Sequence, residues 1–431
     1  MILRRSVLAF ACLSFAACAS PSSGGGTGGT SATGGSHGTG GSSSTGGGTG
    51  TGGAPAGLGT GGPFAFPQGK VSGSCTLTTA ANASTAAQNA YNSWKSTFVT
   101  SSGAPSGALR VTDPQTLSCG GTNVSNGTVS EGIGYGMLAA VYMADKATFD
   151  GLLGYVNGHL DSKGLMNWCL DSSGNTVGSY SATDGDEDII WALLMASDQW
   201  SSTAYLTTAT NMINVMRHNS LFNDGTLEIS DNSNTADLAH HDYFSPAYYR
   251  VFATASGDKF WSTYVIDANY KHLAAVTGNN GLVPDGSNTE DVIGTSSSTC
   301  QICSPNYGYD ACRTPWRIAL DYCFNNEPRA LTYLQKIGGF FNGSMGVSGN
   351  AANIVDGYSS TGTKTGSSPN MAFIGPVGVA GMAGYPMLLD SAFNFGVSNP
   401  GNGNSYYFPQ SLRVVTMLMM SGNFLDYTKL Q

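Results

Sequence analysis

The chain has 431 residues, 18 Lys and Arg against 27 Asp and Glu, and a formal net charge of −9. The first 62 residues hold two of the basic side chains and none of the acidic ones, so the rest carries −11. That balance argues against nucleic acid and anionic polysaccharide as partners, and the stretch beyond residue 62 is long enough for one large core.

The chain opens "MILRRSVLAFACLSFAACAS", two arginines ahead of an apolar run that is too short to span a bilayer. Residues 1–18 read as an export signal. The small residues of "FAAC" point to lipid attachment at Cys18, although Phe15 departs from the usual start of such a signal. Residues 19–62 are Gly, Ser, Thr, Ala and Pro almost throughout, the composition of a flexible tether. The expected protein is extracellular or held at the cell envelope, meeting a membrane only through a lipid on Cys18. No second low-complexity break divides residues 63–431, which read as one domain and are expected to act as a monomer.

Within that domain, apolar residues recur every three to four positions in a series of segments. In chain order they are "TAAQNAYNSWKSTFV", "GYGMLAAVYMADKATFDGLLGYVNGHL", "DIIWALLMASDQW", "YLTTATNMINVMRH" and "PAYYRVFATAS", then "WSTYVIDANYKHLAAVT", "TPWRIALDYCF", "EPRALTYLQKIGGFF" and "FPQSLRVVTMLMM". Gly-, Asn- and Ser-rich loops separate them, without regular hairpin signals. Many helices without heptads favour helical hairpins arranged around a centre. Seven cysteines follow Cys18, so at least one stays unpaired if Cys18 is lipidated. Cys75–Cys119 and Cys300–Cys303 are the candidate disulfides, with connectivity open. A zinc site is disfavoured, because Cys300-x-x-Cys303 has no second close pair or paired histidines.

Three acidic stretches each precede an apolar helix: "SEGIGYGML", "ATDGDEDII" and "YGYDACRTPWRI". In the first, Glu131 follows Ser130, a natural N-cap, and Gly132, Gly134 and Gly136 remove side-chain bulk where another backbone or a ligand approaches. The spacing does not match a nucleotide loop. In the second, Asp184, Asp186, Glu187 and Asp188 crowd together with no Lys, Arg or His between residues 164 and 216. Helix capping accounts for part of that crowding, and Asp184 with Glu187 resembles a capping box. An EF-hand fails, since Ile189 and Met195 occupy its glycine and closing glutamate positions. In the third, Asp310 and Arg313 have the spacing of a helix-start ion pair, with Tyr307, Tyr309 and Trp316 around them.

Taken in order, "SEGIGYGM", "ATDGDEDIIWALL" and "YGYDACRTPWRIALDY" resemble glycoside hydrolase family 8, supported by "LMNW" at 165–168, "YFSPAYYRVF" at 243–252 and "SGNFLDY" near the end. The resemblance implies an all-α fold, an (α/α)6 barrel with an open substrate cleft across one end. It implies an inverting endo-acting hydrolase of β-linked polysaccharide needing no cofactor or metal. Glu131 is similar to the family's general acid, Asp310 to its general base, and Asp184 to the residue that holds the sugar at the cleavage point. Trp168 would be a stacking platform, while Arg313 and Tyr309 would position and tune Asp310. Asp186, Glu187 and Asp188 would then cap and orient their helix.

The chemistry needs one protonated carboxyl and one ionised carboxylate. Burial would raise Glu131, and Arg313 would keep Asp310 charged. "ATDGDEDI" resembles the glucanase and chitosanase type more than the xylanase type, which favours endo-β-1,4-glucanase with chitosanase as the alternative. A polysaccharide-binding lipoprotein without activity would not need all three acids in intact motifs. A uronate lyase would want a basic cleft.

Overall fold

The structure, a computed structural model, describes residues 63–71, 73–232, 238–288, 304–399 and 406–430. The described residues form twelve α-helices: α1 Ala83–Phe98, α2 Ser130–Tyr142, α3 Lys146–Gly158, α4 Thr183–Gln199, α5 Thr203–Asn219, α6 Pro246–Ser256, α7 Ile266–Val276, α8 Thr314–Asn325, α9 Pro328–Ser344, α10 Met371–Gly381, α11 Pro386–Ser398 and α12 Tyr407–Met420. The even-numbered helices make an inner ring. Each packs on the next, with the 3₁₀ turn His241–Tyr243 linking α4 to the start of α6, and α12 closes back on α2. The odd-numbered helices stand outside, α1 behind α12 and the others each behind the inner helix that precedes it. This is an (α/α)6 barrel.

The two rings differ in residue pattern for a physical reason. An outer helix has one wet face, so α1 buries only the stripe Ala87, Gln88, Ala90, Tyr91, Trp94 and Phe98. Inner helices are covered on all sides: every residue of α10 is buried, and every residue of α2 except Glu131. The sequence pattern finds five of the six inner helices and five of the six outer ones, missing the adjacent pair α10 and α11. It gives no helix over α10, where Gly375, Pro376, Gly378 and Gly381 lower helix propensity. Those small residues are what let neighbours approach: a Cβ on Gly378 would lie 2.5 Å from that of Ala392, and one on Gly375 would lie 2.4 Å from Thr416 Oγ1. The long run at 134–160 is two helices. Ala144 adopts the left-handed region at φ 53°, and the Asp145 carboxylate caps α3 by accepting from Thr148 N at 3.2 Å.

The disulfides correct the sequence expectation. Cys75 pairs with Cys323, and Cys119 with Cys169. A Cys75–Cys119 bond is ruled out by position. Thr76 N and Thr78 N donate to Met382 O and Met420 O, so Cys75 lies on a strap across the C-terminal ends of α10 and α12. Cys119 lies on a hairpin, Thr116–Cys119 with Thr122–Ser125, that leads instead to the N-terminus of α2. Cys312 is free and buried. Cys300, Cys303 and the expected signal and tether lie outside the described residues.

A small antiparallel sheet also stands at the N-terminal end of α2, where Thr128–Val129 pairs with Cys169–Leu170, and that strand with Thr176–Gly178. At this end of the barrel the first turns of the inner helices, and the loops entering them, bring the acidic stretches together.

Candidate active site

Arg313, in the turn entering α8 and only 3% exposed, is the hub of the site. Its Nη1 donates to Glu131 Oε2 at 2.5 Å and to Asp184 Oδ2 at 2.6 Å. Its Nη2 reaches Asp310 Oδ1 at 3.2 Å and also contacts Asp242 Oδ2. The structure thus brings the three acids of the three sequence stretches onto one guanidinium, together with a fourth that the sequence reading did not name. Glu131 Oε1 also accepts from Tyr407 OH, at 3.1 Å. Glu131 and Asp310 keep side-chain exposures of 13% and 23%, so both reach the open end of the barrel, whereas Asp184 and Asp242 are at 2% and 0%.

The charge crowding on α4 is neutralised from far away in sequence. Asp184 and Asp188 are four apart, as are Arg313 and Arg317, so each pair lines one helix face in two layers. Both Arg317 terminal nitrogens donate to the Asp188 carboxylate, at 3.0 Å each, with both side chains fully buried. Glu187 accepts from Ser245 Oγ at 2.8 Å, and Asp186 from Met166 N at 3.2 Å. The expected capping box is absent: the cap residue of α4 is Ala182, with no side-chain cap bond. The acids sit inside the first turns and lock α4 to neighbouring elements. Ser130 is likewise the first residue of α2, not its cap.

The glycines of "GIGYG" each admit a different neighbour. A Cβ on Gly132 would lie 2.6 Å from the Tyr407 hydroxyl, one on Gly134 would lie 2.8 Å from Asp188 Cβ, and one on Gly136 would lie 2.8 Å from Leu152 Cδ1. Close approach of α2 to α4 and α12 is what sets Glu131 beside Asp184 and Tyr407.

Burial pushes the Glu131 carboxyl up to about 8 against the pull of Arg313, with Asp184 adding to the rise. Asp310 also lies above the ordinary carboxylate value, because burial and the Asp242 charge outweigh His240 and Arg313. The expectation that Arg313 would single out Asp310 and keep it charged is therefore corrected: one guanidinium is divided among four carboxylates. Asp242 differs. Burial acts on it too, yet Arg313 and His240 together hold it below its ordinary value.

Trp168 is 6% exposed, and a Cβ on Gly178 would lie 2.4 Å from its indole. Its carbonyl accepts from Ser130 N at 2.9 Å, one residue before Glu131. Tyr309 is half-buried, its ring edge-on to Phe373 and near Phe408, its hydroxyl 3.3 Å from both Asp356 Oδ2 and Asn370 Nδ2. The sequence reading passed over His240, Asp242, Tyr407 and Arg317. The signal for the first two was adjacent, since "HHD" directly precedes the quoted "YFSPAYYRVF". His240, Asp242 and Asp310 offer ligand atoms within 4.8 Å of one another, but Arg313 Nη2 already stands against both carboxylates.

A barrel of paired helices with carboxylates gathered at one end, two of them reaching the opening, is the framework of a glycoside hydrolase. The chain belongs to glycosyl hydrolases family 8, whose model matches residues 65–422. It is 35% identical over 343 residues to endoglucanase C of Ruminiclostridium cellulolyticum, spanning 78% of this chain and 70% of that one. It is also 35% identical over 349 residues to endoglucanase A of Acetivibrio thermocellus, spanning 78% and 68%. Among solved structures, the apo β-1,3-1,4-glucanase from Paenibacillus sp. X4 superposes with a TM-score of 0.75 at 30% identity, covering 84% of this chain and 99% of that one. The xylobiose complex of a family 8 protein from Teredinibacter turnerae, with a TM-score of 0.69 at 19% identity over 81% and 96%, shares the fold.

Proposed function

We propose that the protein is an inverting endo-β-1,4-glucanase in which Glu131 is the general acid, Asp310 the general base and Asp184 the group that holds the sugar at the cleavage point. The observation that supports this most is the shared guanidinium: Arg313 touches all three carboxylates, which come from α2, α4 and the turn entering α8. Glu131, raised by burial, keeps a proton at neutral pH and gives it to the leaving glycosidic oxygen as the C–O bond breaks. Asp310 takes a proton from the water that attacks the anomeric carbon from the other face. Asp184, fixed by Arg313, is held for hydrogen bonding to the reacting sugar. Trp168 serves as a stacking platform for a sugar ring, and Arg313 and Tyr309 position and tune Asp310.

Glucan is the favoured substrate because the relatives of about 35% identity carry endoglucanase names. Reducing-sugar release from carboxymethylcellulose, barley β-glucan, chitosan and xylan ranks the substrates, with carboxymethylcellulose expected first. Proton NMR of early hydrolysis checks the reaction: the α-anomer accumulates before mutarotation, and Asp310→Asn lowers turnover about 10²–10⁴-fold. Early β-anomer, or an Asp310→Asn variant with near-native rates, would overturn the role given to Asp310. The signal and tether further support an exported, envelope-held enzyme. Cys18→Ser is expected to move activity from the membrane fraction to the soluble one, and unchanged fractionation would remove the lipid anchor.

A further inference from the structure

Four carboxylates meet Arg313, and the chemistry proposed above neutralises only one of them, by the proton on Glu131. Asp184, Asp242 and Asp310 then face a single guanidinium in a largely buried site. Buried charge without a partner is costly, so a second cation in contact with this group has a clear electrostatic role. Among the described residues, the charged and titratable groups around Asp242 and Asp310 come from several elements, with Tyr243 beside them kept neutral because burial pushes its hydroxyl up. Arg313 and Arg317 approach from the start of α8, and Arg317 is engaged by Asp188. Asp184 approaches from α4, and Asp285, itself pushed up to about 7 by burial and the Asp310 charge, accepts from Gly308 N and Ala311 N at 2.9 Å each beside Asp310. His241 points away, its ring nitrogens 3.2 Å from Pro284 O and 3.0 Å from Ser287 Oγ, and burial holds it neutral with a pKa of about 3.

Among the described residues, His240 is the cationic group that remains. It is 3% exposed, its Nδ1 lies 3.4 Å from Asp242 Oδ1, and its ring and the Asp242 and Asp310 carboxylates bring atoms within 4.8 Å of one another. We propose that His240 is a positioning residue that works as an imidazolium, held by Asp242, and that its charge keeps Asp310 a carboxylate for its role as base. Burial by itself would strip the proton from this imidazole, but Asp242 and Asp310 outweigh burial and raise its pKa. The inference rests on the assignment of Asp310 as base and adds the group that makes that protonation state hold.

The test is His240→Gln in the full chain, which keeps a polar partner for Asp242 and removes the charge. The acid limb of the kcat/KM–pH profile, set by Asp310, is expected to move up by about one pH unit, which a tenfold change in proton affinity represents. The alkaline limb, set by Glu131, should move less. A folded variant whose acid limb stays in place, even with a lower kcat, would reduce His240 to a structural part and overturn the proposal. The second measurement needs no variant. In ¹⁵N-histidine-labelled wild type at pH 7.5, where an exposed imidazole is neutral, one ring is expected to remain doubly protonated. A spectrum with no imidazolium at that pH would overturn the proposal whether or not the variant folds. Asp310→Asn tests the base assignment separately, and its outcome does not alter the NMR result.

Discussion

Glu131→Gln is expected to give a folded protein that turns over about 10²–10⁴-fold more slowly than the wild type, the usual contribution of a positioned general acid. Glutamine has nearly the shape of the protonated carboxyl but has no acidic proton to give. The pH dependence of stability makes the expectation specific. The folded state raises Glu131 from its ordinary 4.5 to about 8, so the favourable proton is fully held below 4.5 and its contribution is lost as pH rises through about 8. Glutamine cannot ionise, so the variant should match the wild type in melting temperature at pH 4.5, gain on it up to about pH 8, and hold that margin beyond. Near-native turnover on soluble glucan with this melting pattern would mean that another group delivers the proton.

How much of this was legible in the sequence depends on how far each signal reached along the chain. Outer helices such as α1 and α9 announce themselves, because one buried stripe against a wet face is a local pattern. Inner α10 hides, because a helix covered on all sides needs no stripe, and its glycines answer to Ala392 and Thr416 rather than to their own neighbours. The three acidic stretches were visible as motifs, but the counter-charges of Asp184 and Asp188 lie 129 residues on, at Arg313 and Arg317. The stretch "TDGDED" does not show locally that it reaches into neighbouring elements instead of capping its own helix, and even its nearer partner, Met166 N on Asp186, lies 20 residues back. Asp242 escaped for a similar reason: an Asp after two histidines in a loop is unremarked until folding sets it against Arg313. The disulfides follow the same rule, since Cys75 meets Cys323 across 248 positions.

Arg313→Met is expected to have the largest effect on stability, about 3–5 kcal/mol near neutral pH, because removing one partner strands buried charge. Asp184 and Asp242 are the groups left behind, and neither has the water access that Glu131 and Asp310 retain. The sign of the pH dependence separates this from simple loss of packing. With the guanidinium present, Asp242 is held below its ordinary value despite its burial. Without it, only His240 and the weaker pull of Arg317 oppose the burial of Asp242, that carboxyl is pushed upward, and stability present at low pH is lost as pH rises. The variant should therefore melt close to the wild type near pH 4 and far below it at pH 8. A packing defect would cost the same at both. Arg217→Met is the control: its partner Asp258 is 3.0 Å away, but the two side chains are 25% and 39% exposed, and the loss should stay within about 1 kcal/mol at either pH. Arg313→Lys completes the argument, since an ammonium restores one positive charge without the two-pronged fork that spans Glu131, Asp184, Asp242 and Asp310. It should recover more of the melting temperature than of the turnover, and equal recovery of both would mean that Arg313 acts as a charge alone.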